Sequence, residues 1–404
     1  IKNKVHTSFV QKWVKIFGKG FHRHLKILNP LAYENFDLRE YDLVISISAG
    51  PAKSVITGID EPHLAMVMTP PRSLWDNELN VRGFKLKWLY KPLSNILNTY
   101  LRVWDTSIAK RVDYWSANSE FIARKIKKTY GVDAQVLYPG VEEKYFKKIK
   151  DTKEGKRLIN STREKYDIPK DFVLVVSRLY DYKRVDWAIR ACIESGDNLV
   201  IVGEGPDKKY LKNIAKGHDN VQFIGFIKDD EVQALYGMAK VLLFCGIEDF
   251  GLVPIEAMAS GTPIFAYGYG GVLETVKSGI TGDFFMNENE LVKLLKHYDK
   301  RRYNEKEIIK HAQTFAEDIR VAVVYEPIYK IGGGELHLKY ILEAFPDSEL
   351  FTAYYDKELA KKEFKDVKIH HSFMQYLPWK EKLRYLYLLL NPLAYKSFKF
   401  KDYD

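Results

Sequence analysis

Short apolar runs recur along the chain. Each is followed by a turn of small or polar residues and then by a stretch with helical spacing. Leu43 to Ile47 runs into Ser48-Ala49-Gly50, and Leu64 to Met68 runs into Thr69-Pro70-Pro71-Arg72. Tyr114 to Ala117 precedes a helix through Lys128, for which Asn118 or Ser119 is the expected cap. Val136 to Tyr138 precedes Pro139-Gly140. A second series opens at Phe172. Strands Phe172 to Val176, Leu199 to Val202, Val221 to Ile224, Val241 to Phe244 and Pro263 to Tyr267 alternate with helices starting near Val185, Asp207, Asp229, Pro254 and Leu273. Strands that are apolar throughout and alternate with helices predict parallel sheets buried on both faces. The expected fold class is α/β, with two Rossmann-like doubly wound domains. The charged stretch from Phe146 to Lys170 reads as their connection plus a surface helix.

Ligands of such sheets sit beyond the carboxyl ends of the strands. The stretch Cys245 to Gly261, CGIEDFGLVPIEAMASG, occupies such a place after the strand Val241 to Phe244. It carries two carboxylates, Glu248 and Glu256, on either side of a glycine turn. Pro254 marks the expected helix start, since its fixed φ suits the first helical position. A helix start favours a bound anion, whereas the two acids favour hydroxyls. A ligand with phosphates and a polyhydroxylated part, such as a sugar nucleotide, meets both demands.

Phe9, Trp13, Phe17 and Phe21 recur every four residues in a stretch to Tyr33 whose only charges are basic up to Lys26. That pattern is a helical stripe, which either packs on the core or lies on an anionic membrane surface. The region Phe84 to Arg111 is again basic and aromatic. The whole chain has 404 residues, a net charge of +10 and 14% aromatic residues. The charge favours an anionic partner. It comes with aromatic helices and no recognisable nucleic-acid motif, so nucleic acid is not the expected partner. Cys192 and Cys245 lie in apolar runs and read as core thiols of a reducing compartment. No apolar run approaches the roughly 20 residues of a membrane span.

The chain also repeats itself. Residues 5–42 include HTSFVQ, NPLAYENF and REYD, and residues 369–404 include HHSFMQ, NPLAYKSF and KDYD. Before the second copy, Val321 opens a strand that runs into a Gly-rich turn and a helix from Glu335, as Rossmann-like domains begin. Two explanations stay open: a window from a tandem array, or a rotated chain with an overlapping duplicate. The expected division is 1–147, a sheet without its opening strands; 148–319, a complete domain; and 320–404, opening strands that would complete 1–147 in cis. Asp402-Tyr403-Asp404 is matched by Glu40-Tyr41-Asp42, so its D-x-D spelling is not read as a metal motif.

The segments VSRLYDYKRVDWAIRA, VIVGEGP, VQFIGFIKDDEVQALY and EDFGLVPIEAMASGTPIFAYGYGGVLETV closely resemble the donor half of retaining GT-B glycosyltransferases (glycosyl transferases group 1), in the bacterial mannosyltransferase-like branch. MTPPRSLW, Arg102 to Asp105, ANSEFIARKI and VLYPGV resemble the acceptor half. The resemblance implies a GT-B fold with two domains facing across a cleft. It implies retaining, metal-independent transfer from a UDP- or GDP-linked sugar to a glycan or lipid-linked acceptor, with no other cofactor. The alternative is a non-catalytic, nucleotide-sugar-binding fragment of a tandem enzyme. By resemblance, Glu248 would hold the donor sugar, Arg178 and Lys183 the diphosphate, and Glu256 the ribose. Gly203, Gly205 and the backbone of Phe250, Gly251, Leu252 and Val253 would line the donor site. Arg72, Gly332, Gly333 and Glu335 would form the acceptor-side loops. Met68 stands where the family has His, and Tyr325-Glu326 where it has His-Asp. The implied location is the cytoplasm, peripheral to the inner face of the membrane.

Overall fold

The computed structural model describes residues 6–17, 28–76, 87–146, 149–316, 322–325, 338–339, 342, 348–365, 367–376 and 391–398. The chain divides into two compact units, Ile1–Glu317 and Asp318–Asp404. The first contains two parallel sheets. One has β1 (Val44–Ser48), β2 (His63–Val67), β3 (Tyr114–Ala117) and β4 (Gln135–Val136) side by side in chain order. The other has β5 (Val173–Val176), β6 (Leu199–Val202), β7 (Val221–Gly225), β8 (Val241–Phe244), β9 (Ile264–Tyr267) and β10 (Gly282–Phe285), in the spatial order β10-β9-β8-β5-β6-β7. This is the doubly wound order. The chain starts centrally at β5, winds out to β7, returns to β8 and winds out the other way. The reversal lies between β5 and β8, which pair in parallel at Val173–Val241 and Leu174–Leu242. The second unit holds β11 (Ala322–Tyr325), β12 (Glu349–Thr352) and β13 (Ile369–His371), also parallel.

The six-stranded sheet supplies the main core. Every residue of β6 and β8 is buried, because helices such as Val185–Ser195 and Asp229–Met238 cover both faces. The expected helix after Ser119 is present as Glu120–Tyr130, with the Ser119 hydroxyl accepting from the Ile122 N–H at 3.1 Å. The charged connection contains the helix Lys153–Tyr166.

Four expectations need correction. The helix after β8 begins at Leu252, not Pro254. Gly251 adopts φ +102°, which turns the chain two residues earlier, and Pro254 still falls in the first turn, where an N–H has no acceptor. β4 ends at Val136, although the Leu137 N–H still donates to Ala117 O at 2.8 Å. Tyr138 leaves the ladder to stack on Phe250. β10 was not expected, because Gly-Asp-Phe-Phe opens on a glycine and a charged residue rather than an apolar run. The aromatic stripe forms a helix, Val10–Phe17, on which Phe9 and Trp13 are part-exposed rather than buried in the core. Phe21 lies outside the described residues.

The repeat folds alike where the sequence acts locally. NPLAY forms a six-residue helix twice, Asn29–Glu34 and Asn391–Lys396, with Ala32 and Ala394 buried. It folds differently where a neighbour decides. His370 and His371 belong to β13, paired with β12, whereas His6 and Thr7 lie in no strand, and both copies then run into a helical segment, Phe373–Tyr376 and Val10–Phe17.

Central and edge strands should respond differently to truncation. Leu242→Ala in β8, fully buried at 0% exposure, should cost about 2–5 kcal/mol in urea unfolding. Ile47→Ala in β1, 62% exposed, should stay within roughly 0.5 kcal/mol. Equal effects would contradict the burial pattern.

Candidate functional site

The loops after β5 and β8 meet at the reversal of strand order, where a crevice necessarily opens. The first loop runs through Ser177 and Arg178 to the single turn Asp181–Lys183. Arg184 then takes the left-handed conformation, φ +49°. Its guanidinium lies 4.7 Å from the Trp187 ring and 4.5 Å from the Tyr267 ring, which holds this strained residue in place. The turn carries Lys183 towards the second loop. Gly246 makes that approach feasible, since a Cβ there would lie 2.9 Å from Lys183 Cα and 3.1 Å from Tyr182 O.

Three cations and two carboxylates gather here. Lys183 Nζ is ion-paired with Glu248. Arg72 Nη2, from the turn after β2, donates to Asp249 Oδ2 at 2.7 Å and lies 4.0 Å from Glu248 Oε2. Arg178 Nη2 donates to the Tyr182 hydroxyl at 3.3 Å. The Tyr182 ring also receives Arg72 at 5.1 Å and Lys183 at 5.3 Å, both within cation–π range. Burial, then the charges of Arg72 and Arg178, lower the Lys183 pKa to about 7, against the pull of Asp249.

Glu256 sits in a different setting. It lies on the helix Leu252–Ala259 and accepts from the Tyr236 hydroxyl at 2.9 Å. Burial raises its pKa; the Tyr236 hydrogen bond opposes that rise and nearby Asp229 adds to it. Gly203 and Gly205 bring the loop after β6 against the Arg178 loop. A Cβ on Gly203 would overlap Ser177 O, and one on Gly205 would overlap Leu179 O.

The structure thus brings Arg178, Lys183, Glu248 and Arg72 together, with Gly203 and Gly205 behind Arg178. The Phe250 side chain is buried rather than turned to the crevice. It stacks on Tyr138 at 5.4 Å and meets Phe315 edge-on at 5.9 Å. Gly251 caps the helix start, Leu252 is exposed and Val253 half-buried. Gly332, Gly333 and Glu335 lie outside the described residues.

Three participants were not singled out from the sequence, Asp249, Glu274 and Tyr182, and Ser119 was expected only as a helix cap. The Ser119 hydroxyl donates to Asp249 O at 2.5 Å. Glu274 accepts from the Glu120 and Phe121 N–H groups at 2.8 Å each, and from the Tyr138 hydroxyl at 3.1 Å. It therefore caps a helix of the opposite sheet. Arg72, Ser119 and Glu274 show that the carboxyl ends of the two sheets face each other. Met68, at the end of β2, accepts from Asn118 Nδ2 at 3.6 Å. Nearby, Thr69 Oγ1, Asn118 Oδ1 and Asp249 Oδ1 are buried polar atoms without a hydrogen-bond partner.

Residues 159–315 match the family Glycosyl transferases group 1. Over that span the chain is similar to this family. It is 33% identical over 125 residues to an uncharacterised glycosyltransferase of Methanocaldococcus jannaschii, covering 29% of this chain and 32% of that one. It is 25% identical over 223 residues to the human alpha-1,3/1,6-mannosyltransferase ALG2, covering 50% and 52%. It is 31% identical over 174 residues to the alpha-monoglucosyldiacylglycerol synthase of Acholeplasma laidlawii, covering 40% and 43%. The chain spans about a third to a half of the length of these curated relatives. Among solved structures, the Anabaena protein HepE in complex with UDP-glucose superposes with a TM-score of 0.54 at 18% identity, over 75% of this chain and 80% of that one. Sucrose-phosphate synthase of Thermosynechococcus elongatus gives 0.53 at 18% identity, over 76% and 73%. The fold is GT-B.

The close approach at Gly203 is testable apart from its backbone angle. Gly203 has φ +126° and overlapping neighbours, whereas Gly196 has φ +80° and open space. Gly196→Ala should cost roughly 1–2 kcal/mol for the left-handed backbone alone. Gly203→Ala should cost more, at or above about 3 kcal/mol. Thermal unfolding that ranks the two the other way would contradict the packing of these loops.

Proposed function

We propose that the chain is a retaining, metal-independent hexosyltransferase. It would move a sugar from a UDP- or GDP-linked donor to a glycan or lipid-linked acceptor, with no further cofactor. The observation that carries this reading is the cluster of Arg178, Lys183 and Arg72 around Tyr182, opposite Glu248, at the strand-order reversal of a domain similar to Glycosyl transferases group 1. Relatives bearing names such as GDP-mannose-dependent alpha-(1-6)-phosphatidylinositol monomannoside mannosyltransferase of Mycobacterium tuberculosis, 28% identical over 222 residues, support a nucleotide donor and a lipid acceptor.

The chemistry follows from charge. The bond between the anomeric carbon and the diphosphate oxygen breaks, and negative charge grows on the leaving group. Lys183 and Arg178 stabilise that charge where a metal would otherwise be needed. The acceptor oxygen forms its bond to the anomeric carbon on the same face, and its proton passes to the departing phosphate. Glu248 receives a donor-sugar hydroxyl, and Glu256 receives the ribose hydroxyls. The unpartnered Thr69, Asn118 and Asp249 atoms favour a hydroxyl-rich ligand between the sheets. Peripheral membrane binding on the cytoplasmic side fits the exposed Phe9, Trp13 and Ile16 beside Lys12 and Lys15.

A second reading, a nucleotide-sugar-binding domain without turnover, is favoured by Met68. Its thioether can neither transfer a proton nor donate a hydrogen bond, as a histidine can. Donor turnover separates the two. With UDP-glucose and GDP-mannose in the presence of EDTA, release of UDP or GDP is expected from at least one. Lys183→Ala should slow it by roughly 10²–10³-fold. Binding without turnover would establish the second reading, and no binding at all would refute both.

The Lys183 pKa also sets a pH dependence. A bound diphosphate favours the charged amine, so binding raises that pKa and takes up a proton. Affinity should therefore be full below about pH 7 and fall as pH rises above it. Calorimetric titration with UDP or GDP between pH 6.5 and 8.5 would show the decline. Constant affinity across that range would contradict it.

A further inference from the structure

Behind the Arg72 turn lies a carboxylate that the donor chemistry does not use. Asp105, on the helix Lys87–Ser107, is fully buried. Its Oδ1 accepts from Lys53 Nζ at 2.7 Å. Its Oδ2 accepts from Trp75 Nε1 at 2.8 Å and from the Tyr130 hydroxyl at 2.7 Å. These donors belong to three elements: the turn Pro51–Ser54 after β1, the helix Arg72–Trp75 after β2, and the helix Glu120–Tyr130 after β3. One carboxylate thus ties together the segments that leave three adjacent strands. Two of them reach the opposite sheet, through Arg72 on Asp249 and through the Ser119 cap on Asp249 O.

The helix Arg72–Trp75 is a single turn of four residues. A turn that short does not hold its own shape in water. Its position comes from its anchors: the Trp75 indole on Asp105, Arg102 Nε on Leu74 O at 2.6 Å, and Lys125 on Asp76 at 2.7 Å. Trp75 lies one turn from Arg72, so the indole anchor governs where the guanidinium stands. Lys53 supplies the balancing charge, and its ring contact with Tyr130 at 5.1 Å closes the network.

We propose that Asp105 is a positioning residue. Through Trp75 it fixes Arg72 against the Glu248-Asp249 loop and so sets how tightly the crevice holds a nucleoside diphosphate. The consequence for binding rests on the donor-site reading above; the mechanical link from Trp75 to the Glu248-Asp249 loop does not. Asp105→Asn leaves Lys53 buried beside a neutral amide and threatens folding. Trp75→Phe removes the indole N–H with part of the ring, keeps an aromatic side chain and leaves the Lys53–Asp105 pair intact, so it is the informative variant.

Two measurements on the full chain test the proposal. The first is hydrogen exchange without ligand. Trp75→Phe should speed exchange of the amides in 71–76 and 249–253 while the main unfolding transition stays in place. Unchanged exchange in those two segments would overturn the proposal, whatever the ligand. The second is calorimetric titration with UDP and GDP from pH 6 to 9, on the wild type, Trp75→Phe, Arg72→Ala and the double variant. Lys183 is faced there by Arg72, Arg178, Glu248 and Asp249. Releasing Arg72 should weaken binding by roughly tenfold and move the pH midpoint upward. The double variant should be no worse than Arg72→Ala alone. Additive losses, or a Trp75→Phe profile that overlays the wild type, would overturn the proposal. A wild type that binds neither nucleotide would refute the donor-site reading, leaving exchange to decide the positioning claim.

Discussion

Like charges crowd one aromatic ring in this molecule. Arg72, Arg178 and Lys183 all address Tyr182, and the Lys183 amine is lowered to about 7 by burial and by its two cationic neighbours. Such a cluster does not assemble for stability, because repulsion and desolvation both oppose it. It persists because the parallel sheet fixes β5 and β8 side by side and their loops have nowhere else to go. Glu248 and Asp249 balance part of the charge. A diphosphate would balance the remainder, and that imbalance is the physical core of the functional reading.

The second constraint is that the crevice has two walls. The Glu248-Asp249 loop belongs to the six-stranded sheet, yet its partners Arg72 and Ser119 belong to the four-stranded one. The same loop carries Phe250, which is stacked with Tyr138 and Phe315 where the chain passes between the sheets. Val141 and Ala316 pair at that crossing. Any change of angle between the sheets therefore reaches the Glu248-Asp249 loop through packed aromatic rings and through Glu274, which caps the helix Glu120–Tyr130 from the other side. The angle between the sheets and the geometry of the site are therefore linked through these contacts.

Much of this architecture was legible in the chain. The all-apolar runs at Leu199 to Val202 and Val241 to Phe244 could only be buried parallel strands. Ser119 announced a helix start, whereas Gly203 and Gly205 were read by resemblance as lining the donor site, and only the structure shows their close approach to Ser177 and Leu179. β10 was not legible, because its pairing with β9 supplies what its four residues lack. The start of the Leu252 helix was misplaced because Pro254 tolerates several first-turn positions, while Gly251 decides among them. At the site, Arg178, Lys183 and Glu248 could be named because they sit in dense local motifs. Asp249 and Glu274 could not, and Asp105 was placed only in a segment resembling the acceptor half, without its partners. Their partners lie 130–177 residues away for Asp249 and 136–154 for Glu274, and no local pattern marks such pairs. The helix Val10–Phe17 shows the converse: its periodicity was plain, but only the structure shows that Phe9 and Trp13 are part-exposed.

The most direct measurement is a crystal structure of the chain grown with UDP or GDP in the presence of EDTA. The account predicts the diphosphate between Lys183 and Arg178, with the ribose hydroxyls on Glu256 in place of the present Tyr236 contact alone. A nucleotide bound elsewhere, or bound with its phosphates turned away from Lys183, would contradict it.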